Sequence, residues 1–283
     1  MSLMLITDSA SDMSKEFAKE CGIPVLPLTC TVDGKDYLDG VEITSKELMD
    51  KMRKGSVTKT SQINVDVYED VFEKYAKAGK KVLYIAFSSA LSGTYNAANV
   101  ARETILEKYP DADITIIDSK CASFGLGLAV YKTHLLIKDK VPDDEVIKKA
   151  QYYCDNMEHV FTVDNLEYLF RGGRVSRTSA ILGTILNIKP VLHVDDEGRL
   201  IPLEKARGRK ASLKRLVELV GERGKDLENQ TIGIIHGDDI DAVNYVKELI
   251  HSKYGCNSFV IQEIGGVVGA HAGPGTIAIF FLS

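Results

Sequence analysis

Short apolar runs alternate with segments of helical periodicity through the first half of the chain. The apolar runs lie at residues 3–6, 82–86 and 114–117, and helical patterns lie between and after them. This alternation is typical of a parallel sheet whose strands are connected by crossover helices. The feature therefore predicts an α/β fold that begins with an N-terminal, mostly parallel α/β sheet domain.

Local signals divide the first half into elements. A helix is expected over residues 14–21, an extended strand over 23–31, and a tight turn at Asp33-Gly34. Thr44 and Glu47 have the spacing of a capping box, and Asn64 is placed to cap the next helix. Further helices are expected to begin near residues 94 and 125.

The regular alternation of strand and helix patterns ends near residue 157, and the second half is predicted to be a mixed α+β domain. Strands are expected over residues 159–163, 190–194, 200–203 and 231–236, with helices over 211–220 and 241–254. At 283 residues the chain is long enough for two packed units. We expect the domains to cover residues 1–157 and 158–283, with a ligand between them.

The last 20 residues carry no Asp, Glu, Lys or Arg and contain five glycines. The absence of charge is compatible with a membrane span, but the glycines and Pro274 make a poor lipid-facing helix. We therefore predict a strand, a turn and a strand over residues 264–283.

Composition narrows the class of protein. A formal net charge of −5 argues against a nucleic-acid binder, which normally has a basic face. Five cysteines are far apart, which favours reduced thiols, a cytoplasmic protein and no metal site. The largest basic cluster is either a solvated helix start or a docking surface for an acidic partner or phosphate. Its members are Lys205, Arg207, Arg209, Lys210, Lys214 and Arg215.

Four polar segments are expected at the edge of the sheet where parallel strands end. They are Asp8-Ser9, residues 60–62, residues 88–94 and Asp118-Ser119. Ligands of such sheets bind at this edge, where helix N-termini and hydroxyl groups can hold an anion. The 88–94 segment has one glycine and no lysine, so it does not match a phosphate-binding nucleotide loop. The pattern predicts a site for a small anionic group, with Ser92 and Thr94 as candidate donors.

The second half supplies three further candidates. Gly172-Gly173 can end a helix and leave Arg174 outside its cap. Residues 180–188 form an uncharged apolar stretch that suits either the core or a ligand pocket. His271 lies between glycines, which a turn explains without explaining the histidine, so either a turn or a site role is open.

Seven segments together resemble the DegV family, which includes fatty-acid-binding subunits of bacterial fatty acid kinase. They are ITDSASD from Ile6, TSQ from Thr60, SSALSGTYNAA from Ser88, IDSKCASFGLG from Ile117, LEYLFRGGRVS from Leu166, ILNIKPVLHVDDEGRL from Ile185 and GAHAGPG from Gly269. One departure is visible, because the family often has a proline soon after TSQ and Ile63-Asn64 follows here.

The resemblance implies a two-domain α/β protein that holds one long-chain fatty acid, such as palmitate, between its domains and needs no cofactor. The carboxylate would be bound by the hydroxyls of Thr60 and Ser92 with His271 nearby. Its neighbours would be Ser61, Gly93 and Thr94, and the site rim or partner contact would be Arg174 and Arg207. A fatty acid kinase catalytic subunit would phosphorylate the carboxylate, and the protein would carry the acyl phosphate to phospholipid synthesis without a complete catalytic apparatus.

Two other classes of function remain open on the sequence. One is a hydrolase or acyltransferase that uses Ser92 or Ser89 with His271, oriented by Asp118. The other is a phosphosugar-binding or regulatory module, which needs the anion loop but not a long apolar cavity.

Overall fold

The computed structural model of the protein describes residues 3–176 and 187–283. In the first half, the strands are β1 (Leu3–Asp8), β2 (Val25–Leu26), β3 (Thr29–Val32), β4 (Lys35–Leu38), β5 (Thr58–Ser61), β6 (Lys81–Ala86) and β7 (Ile114–Asp118). The helices are α1 (Lys15–Cys21), α2 (Ser45–Arg53), α3 (Val65–Lys77), α4 (Thr94–Lys108), α5 (Phe124–Lys138) and α6 (Asp143–Asp155).

The second half begins with a strand that directly follows α6. Its strands are β8 (Met157–Thr162), β9 (Ile188–Val194), β10 (Leu200–Arg207), β11 (Thr231–His236), β12 (Ser258–Glu263) and β13 (Ile277–Leu282). Its helices are α7 (Glu167–Arg171), α8 (Arg209–Arg223), α9 (Ile240–Tyr254) and α10 (Gly266–Ala272).

The predicted parallel sheet is confirmed as a four-stranded sheet in the order β2-β1-β6-β7. A separate three-stranded antiparallel sheet has the order β4-β3-β5. The single strand predicted over residues 23–31 was wrong, because β2 and β3 belong to different sheets. Pro27 separates them, and a proline has no backbone N–H to continue a ladder.

The two helix starts predicted from caps differ in outcome. The capping box of α2 is present, with the Thr44 hydroxyl accepting from the Glu47 N–H at 3.2 Å. The Glu47 carboxylate in turn accepts from the Thr44 N–H at 3.0 Å. Asn64 precedes α3 as predicted, but its side chain makes no capping hydrogen bond.

The second half contains a mixed six-stranded sheet in the order β10-β9-β8-β13-β11-β12. Its pairs are antiparallel except β11 with β12. Helices α8 and α9 cover one face over a core that includes Val217, Val246 and Ile279. Helix α5, from the first half, packs on β8, β11 and β13 and joins the sheet to the larger core.

Of the strand, turn and strand predicted over residues 264–283, the last strand is confirmed as β13, but the first was wrong, because a helix stands in its place. Helix α10 lies between β12 and β13 and packs on α2, α7, β3 and β5. Two of its glycines allow close packing, since a Cβ on Gly269 would lie 2.6 Å from Met49 Cε and one on Gly266 would lie 2.7 Å from Asp39 Oδ1. A helix that is covered on several sides has no polar face. Its sequence therefore lacks the helical spacing of polar and apolar residues from which a helix is usually predicted.

The domain division predicted at residues 157 and 158 stays a prediction. Among the described residues, no helix combines the length and the apolar character needed to cross a bilayer.

Candidate functional site

A cavity of about 250 Å³ lies where the two halves of the chain meet. The end of β5 and the segments after β5, β6 and β7 line it from the first half, and β8, β13 and α10 line it from the second. Most of its wall is apolar; among the wall residues are Phe87, Phe161, Leu169, Ile235, Val267 and Phe280. Ligand pockets combine such an apolar wall with a few placed polar groups.

Several polar groups of the wall meet in one region. Thr60 Oγ1 lies 2.8 Å from His271 Nε2, and these residues come from β5 and α10. Gln62 packs against Gly93, since a Cβ on Gly93 would lie 1.9 Å from Gln62 Oε1. The end of β5, the loop before α4 and the last turn of α10 therefore converge. Ser61 and Gln62 are exposed while they line the cavity, so this region opens to solvent.

The loop before α4 is folded by its own hydroxyl groups. The backbone N–H groups of Leu91 and Ser92 both donate to the Ser88 carbonyl, at 3.0 and 3.1 Å. Ser92 Oγ accepts from the Thr94 N–H at 3.3 Å and lies 2.8 Å from Thr94 Oγ1. Ser92 and Gly93 line the cavity, whereas Thr94 is fully buried behind Ser92 and is not part of the wall.

Two corrections concern the predicted sheet edge. Asp8, residues 88–94 and Asp118 do meet there: Asp8 Oδ2 accepts from the Phe87 N–H at 2.9 Å, and Asp118 Oδ1 accepts from the Ser89 N–H at 3.0 Å. Thr60, however, lies on the small antiparallel sheet and reaches the site from the side. The expectation that His271 lies in a turn is also wrong, because His271 is in the last turn of α10.

The imidazole of His271 is neutral at neutral pH. Burial, followed by the positive charge of Arg174, lowers the pKa of His271 to about 4. Gly172 leaves the space that the ring occupies, since a Cβ there would lie 2.0 Å from His271 Nδ1. The site therefore presents to a ligand an imidazole that can hydrogen-bond but carries no charge.

Arg174 follows the two glycines that end α7, as the sequence predicts, and its guanidinium lines the cavity. Its Nε and Nη2 donate to the Leu91 carbonyl at 3.2 and 3.1 Å, and Nη1 donates to the Gly172 carbonyl at 2.5 Å. Burial lowers the pKa of Arg174. Backbone acceptors therefore hold the guanidinium across the loop that carries Ser92.

Arg207 is not brought to the cavity. It is exposed at the end of β10 and is not part of the cavity wall. The surrounding basic cluster is partly neutralised, because Arg209 pairs with Asp239 and Arg215 pairs with Glu204.

Four polar wall residues were absent from the predicted site: Gln62, Ser123, His159 and Thr276. Gln62 and Ser123 stand in the TSQ and IDSKCASFGLG segments, whereas His159 and Thr276 lie outside the segments that carry the family resemblance. His159 Nδ1 donates to the Met157 carbonyl at 2.9 Å, so Nε2 accepts from the Ala122 N–H at 3.3 Å. Burial lowers the pKa of His159 to about 4, and the ring is a neutral part of the wall.

The residues of a serine-based catalytic triad bond to other partners. Ser92 bonds to Thr94, His271 bonds to Thr60, and Asp118 accepts from Ser89 Oγ at 2.5 Å. The nucleophile-to-base hydrogen bond that defines such a triad is thus replaced by other pairs. In residues 3–176 and 187–283, no group of His, Cys, Asp or Glu is arranged to hold a metal ion.

The apolar stretch predicted at residues 180–188 lies almost wholly outside the described residues, which resume at Asn187.

Comparison with known proteins gives a consistent result. The family described as "Uncharacterised protein, DegV family" matches residues 2–283. A DegV domain-containing protein of Clostridium perfringens is 44% identical over 281 residues, covering 99% of this chain and 97% of the relative.

Two solved structures share the fold over nearly the whole length. A DegV family protein from Thermus thermophilus, described by its fatty acid binding, is 29% identical with a TM-score of 0.91 and covers 100% of both chains. A stearic acid-binding protein from Eubacterium ventriosum is 27% identical with a TM-score of 0.88 and covers 99% of this chain and 98% of its own.

Proposed function

This chain belongs to the DegV family, and on that premise we propose that it binds one long-chain fatty acid, such as palmitate, and presents the carboxylate to a separate kinase. The observation that carries the proposal is an apolar cavity in which Thr60, His271 and other polar groups converge where it opens to solvent. The structural relatives described as binding fatty acids support the same class of ligand.

The tail supplies most of the affinity in this proposal. Burying a methylene group contributes about 0.8 kcal/mol, so a sixteen-carbon chain gains on the order of 10 kcal/mol before the costs of ordering and association. Phe87, Phe161 and Phe280 belong to the wall that would contact the tail.

For the head group, correct orientation matters more than the strength of its binding. The hydroxyls of Thr60 and Ser92 and the neutral ring of His271 would bond the carboxylate, with Ser61 and Gly93 beside it. Arg174 would add positive charge at the rim, and its guanidinium is already held by two carbonyl oxygens. Because neutral donors withdraw less charge than a bidentate arginine, the carboxylate oxygen stays nucleophilic toward phosphorus.

The remaining parts of the role follow from this assignment. A kinase catalytic subunit that holds the phosphate donor would transfer a phosphoryl group to the exposed carboxylate. The protein would then carry the acyl phosphate, in the cytoplasm, to phospholipid synthesis. Thr94 would support Ser92 from behind, and Arg207 would belong to a surface that contacts the partner. This chain would supply binding and presentation, and the partner would supply the catalytic groups.

The test separates head-group contacts from tail contacts. Thr60→Ala and Ser92→Ala should each weaken fatty acid binding by about 0.5 to 1.5 kcal/mol, the value of one hydrogen bond. Phosphorylation of the bound acid by the kinase should fall more steeply. Ser252→Ala, which removes an exposed hydroxyl on α9, is the matched control and should change neither quantity. Loss of all fatty acid binding in a folded Thr60 or Ser92 variant would contradict this division.

A further inference from the structure

Helix α10 forms part of the cavity wall but has no cap of its own. Val267, Val268 and His271 all line the cavity from this helix. The first N–H groups of a helix have no intrahelical partner, and a side chain usually accepts from one of them. Here the residue at the cap position is Gly265, which has no side chain.

Two carboxylates from the first half of the chain replace the missing cap. Asp12 Oδ1 accepts from the Gly265 N–H at 2.9 Å, and Asp39 Oδ1 accepts from the Gly266 N–H at 2.6 Å. The other oxygen of Asp12 accepts from Ser123 Oγ at 2.5 Å, and Ser123 lines the cavity. Asp12 thus connects the start of α10 to Ser123 in the cavity wall.

The fit depends on the two glycines. A Cβ on Gly265 would lie 2.7 Å from Asp12 Oδ1, and one on Gly266 would lie 2.7 Å from Asp39 Oδ1. Any larger residue would push the carboxylates away from the N–H groups that they accept from. The glycines and the acids therefore form matched pairs, although more than 220 residues separate them in sequence.

Both carboxylates are buried where a charge is costly. Asp12 is 4% exposed and Asp39 is 3% exposed, and no lysine or arginine among the described residues forms an ion pair with either. Burial raises the pKa of both groups. A buried carboxylate without a cation is expensive, and the partial positive charge of a helix N-terminus is one of the few features that offset this cost.

The opposite end of α10 is held by the same sheet that carries Thr60. Thr58 Oγ1 donates to the Ala270 carbonyl at 2.8 Å, and His271 Nε2 lies 2.8 Å from Thr60 Oγ1. A shift of the helix start would therefore be transmitted over seven residues to the imidazole.

We propose that Asp12 and Asp39 are positioning residues for the head-group site, which hold α10 so that His271 faces Thr60 and the ligand. The proposal rests on the proposed function in that the head group is taken to be a fatty acid carboxylate. The acids act through His271 and do not contact the ligand.

The test measures the pKa of His271 by NMR in the protein without fatty acid. Asp39→Ala removes the acceptor, and the pKa should rise from about 4 by at least about one unit toward its ordinary value. Asp39→Asn keeps an oxygen that can accept from Gly266, so its His271 should titrate close to that of the unsubstituted protein. Fatty acid affinity should fall at least about fivefold in Asp39→Ala and less in Asp39→Asn.

Asp239→Ala is the control for the loss of a capping carboxylate. Asp239 accepts from the Ala242 N–H at 3.1 Å at the start of α9, which does not line the cavity, and it also pairs with Arg209. Asp239→Ala should lower the melting temperature and leave the His271 titration unchanged. If Asp39→Ala behaves in the same way, Asp39 is only a structural cap and the proposal is overturned.

A second variant keeps the proposal open to test if Asp39→Ala does not fold. Gly266→Ala keeps the carboxylate but places a methyl group against it, and it should also raise the pKa of His271. In a protein that already carries Asp39→Asn, Gly266→Ala should lower the free energy of unfolding less, because a neutral amide moves away more easily than a carboxylate. An unchanged His271 in Gly266→Ala would contradict the proposal. These titrations need no ligand, so failure of fatty acid binding would reject the proposed function alone.

Discussion

Gly172 has no side chain, and the imidazole of His271 occupies the space that a side chain at residue 172 would fill. The backbone of Gly172 has ordinary helical angles, so alanine is acceptable there on conformational grounds. A Cβ would nevertheless lie 2.0 Å from His271 Nδ1. The cost of a substitution at Gly172 should therefore depend on whether the imidazole is present.

We predict that Gly172→Ala lowers the free energy of unfolding and weakens fatty acid binding by displacing the ring from Thr60. In a His271→Ala protein the same change should be nearly neutral. A double-mutant cycle by chemical denaturation should give a coupling of about 0.5 to 3 kcal/mol, the range for residues in contact. Additive effects would show that the ring moves aside freely.

His159 makes the free energy of unfolding depend on pH, in a direction that follows from its lowered pKa. Its pKa is about 4 in the folded protein and near 6.5 when unfolded, so in that window only the unfolded state gains a proton. The free energy of unfolding therefore falls as the pH is lowered from about 6.5 to about 4.

We predict that His159→Gln, whose amide oxygen can accept from Ala122, lacks this contribution. The stability advantage of the unsubstituted protein should shrink by on the order of 3 kcal/mol between pH 6.5 and pH 4. Urea denaturation at several pH values measures it. The comparison isolates His159, because His271 and the buried aspartates are common to both proteins. A pH-independent difference would mean that the pKa of His159 is the same in the folded and the unfolded protein.

The sequence pointed to those cavity-lining residues that stand in polar runs or among glycines. Thr60, Ser61, Ser92, Gly93, Arg174 and His271 all line the cavity. Ser123 and His159 were not predicted, because Ser123 has no signal of its own within the IDSKCASFGLG segment and His159 lies within a strand. Their position at the cavity depends on how α5 and β8 pack, which local pattern does not encode.

At the scale of elements, a helix cap could be predicted from the sequence where the two capping partners are close in sequence. The capping box of α2 involves residues three apart, whereas the acceptors for α10 lie in the other half of the chain. Helix α10 was missed for this reason and because it has no polar face. A helix whose cap and packing are both long-range leaves little local signal.

We predict that Thr44→Ala lowers the free energy of unfolding by about 1 kcal/mol, the usual value of a helix cap. Thr44 is exposed and outside the cavity wall, so fatty acid affinity should not change. Ser45→Ala, one residue later, is the control and should be neutral or slightly stabilising, because alanine favours a helix interior. Equal losses in both variants would mean that the capping box contributes nothing.

At the scale of the whole molecule, the class of each sheet was predictable and the way the halves join was not. The alternation of strands and helices predicts the parallel sheet, and the change of rhythm predicts the mixed one. The contacts that form the cavity are between segments far apart: Thr60 with His271, Ser88 Oγ with the Gly198 carbonyl at 2.9 Å, and Asp12 with Gly265. No periodicity in the sequence reports such pairs.

Native mass spectrometry of protein that has never been delipidated tests the central claim most directly. We predict a non-covalent complex with one long-chain fatty acid per chain, which is lost on denaturation and restored when palmitate is added to delipidated protein. A bare chain in the fresh preparation that also takes up no palmitate would contradict fatty acid binding. An acyl group that stays attached to a serine after denaturation would contradict the carrier role and support a hydrolase or acyltransferase.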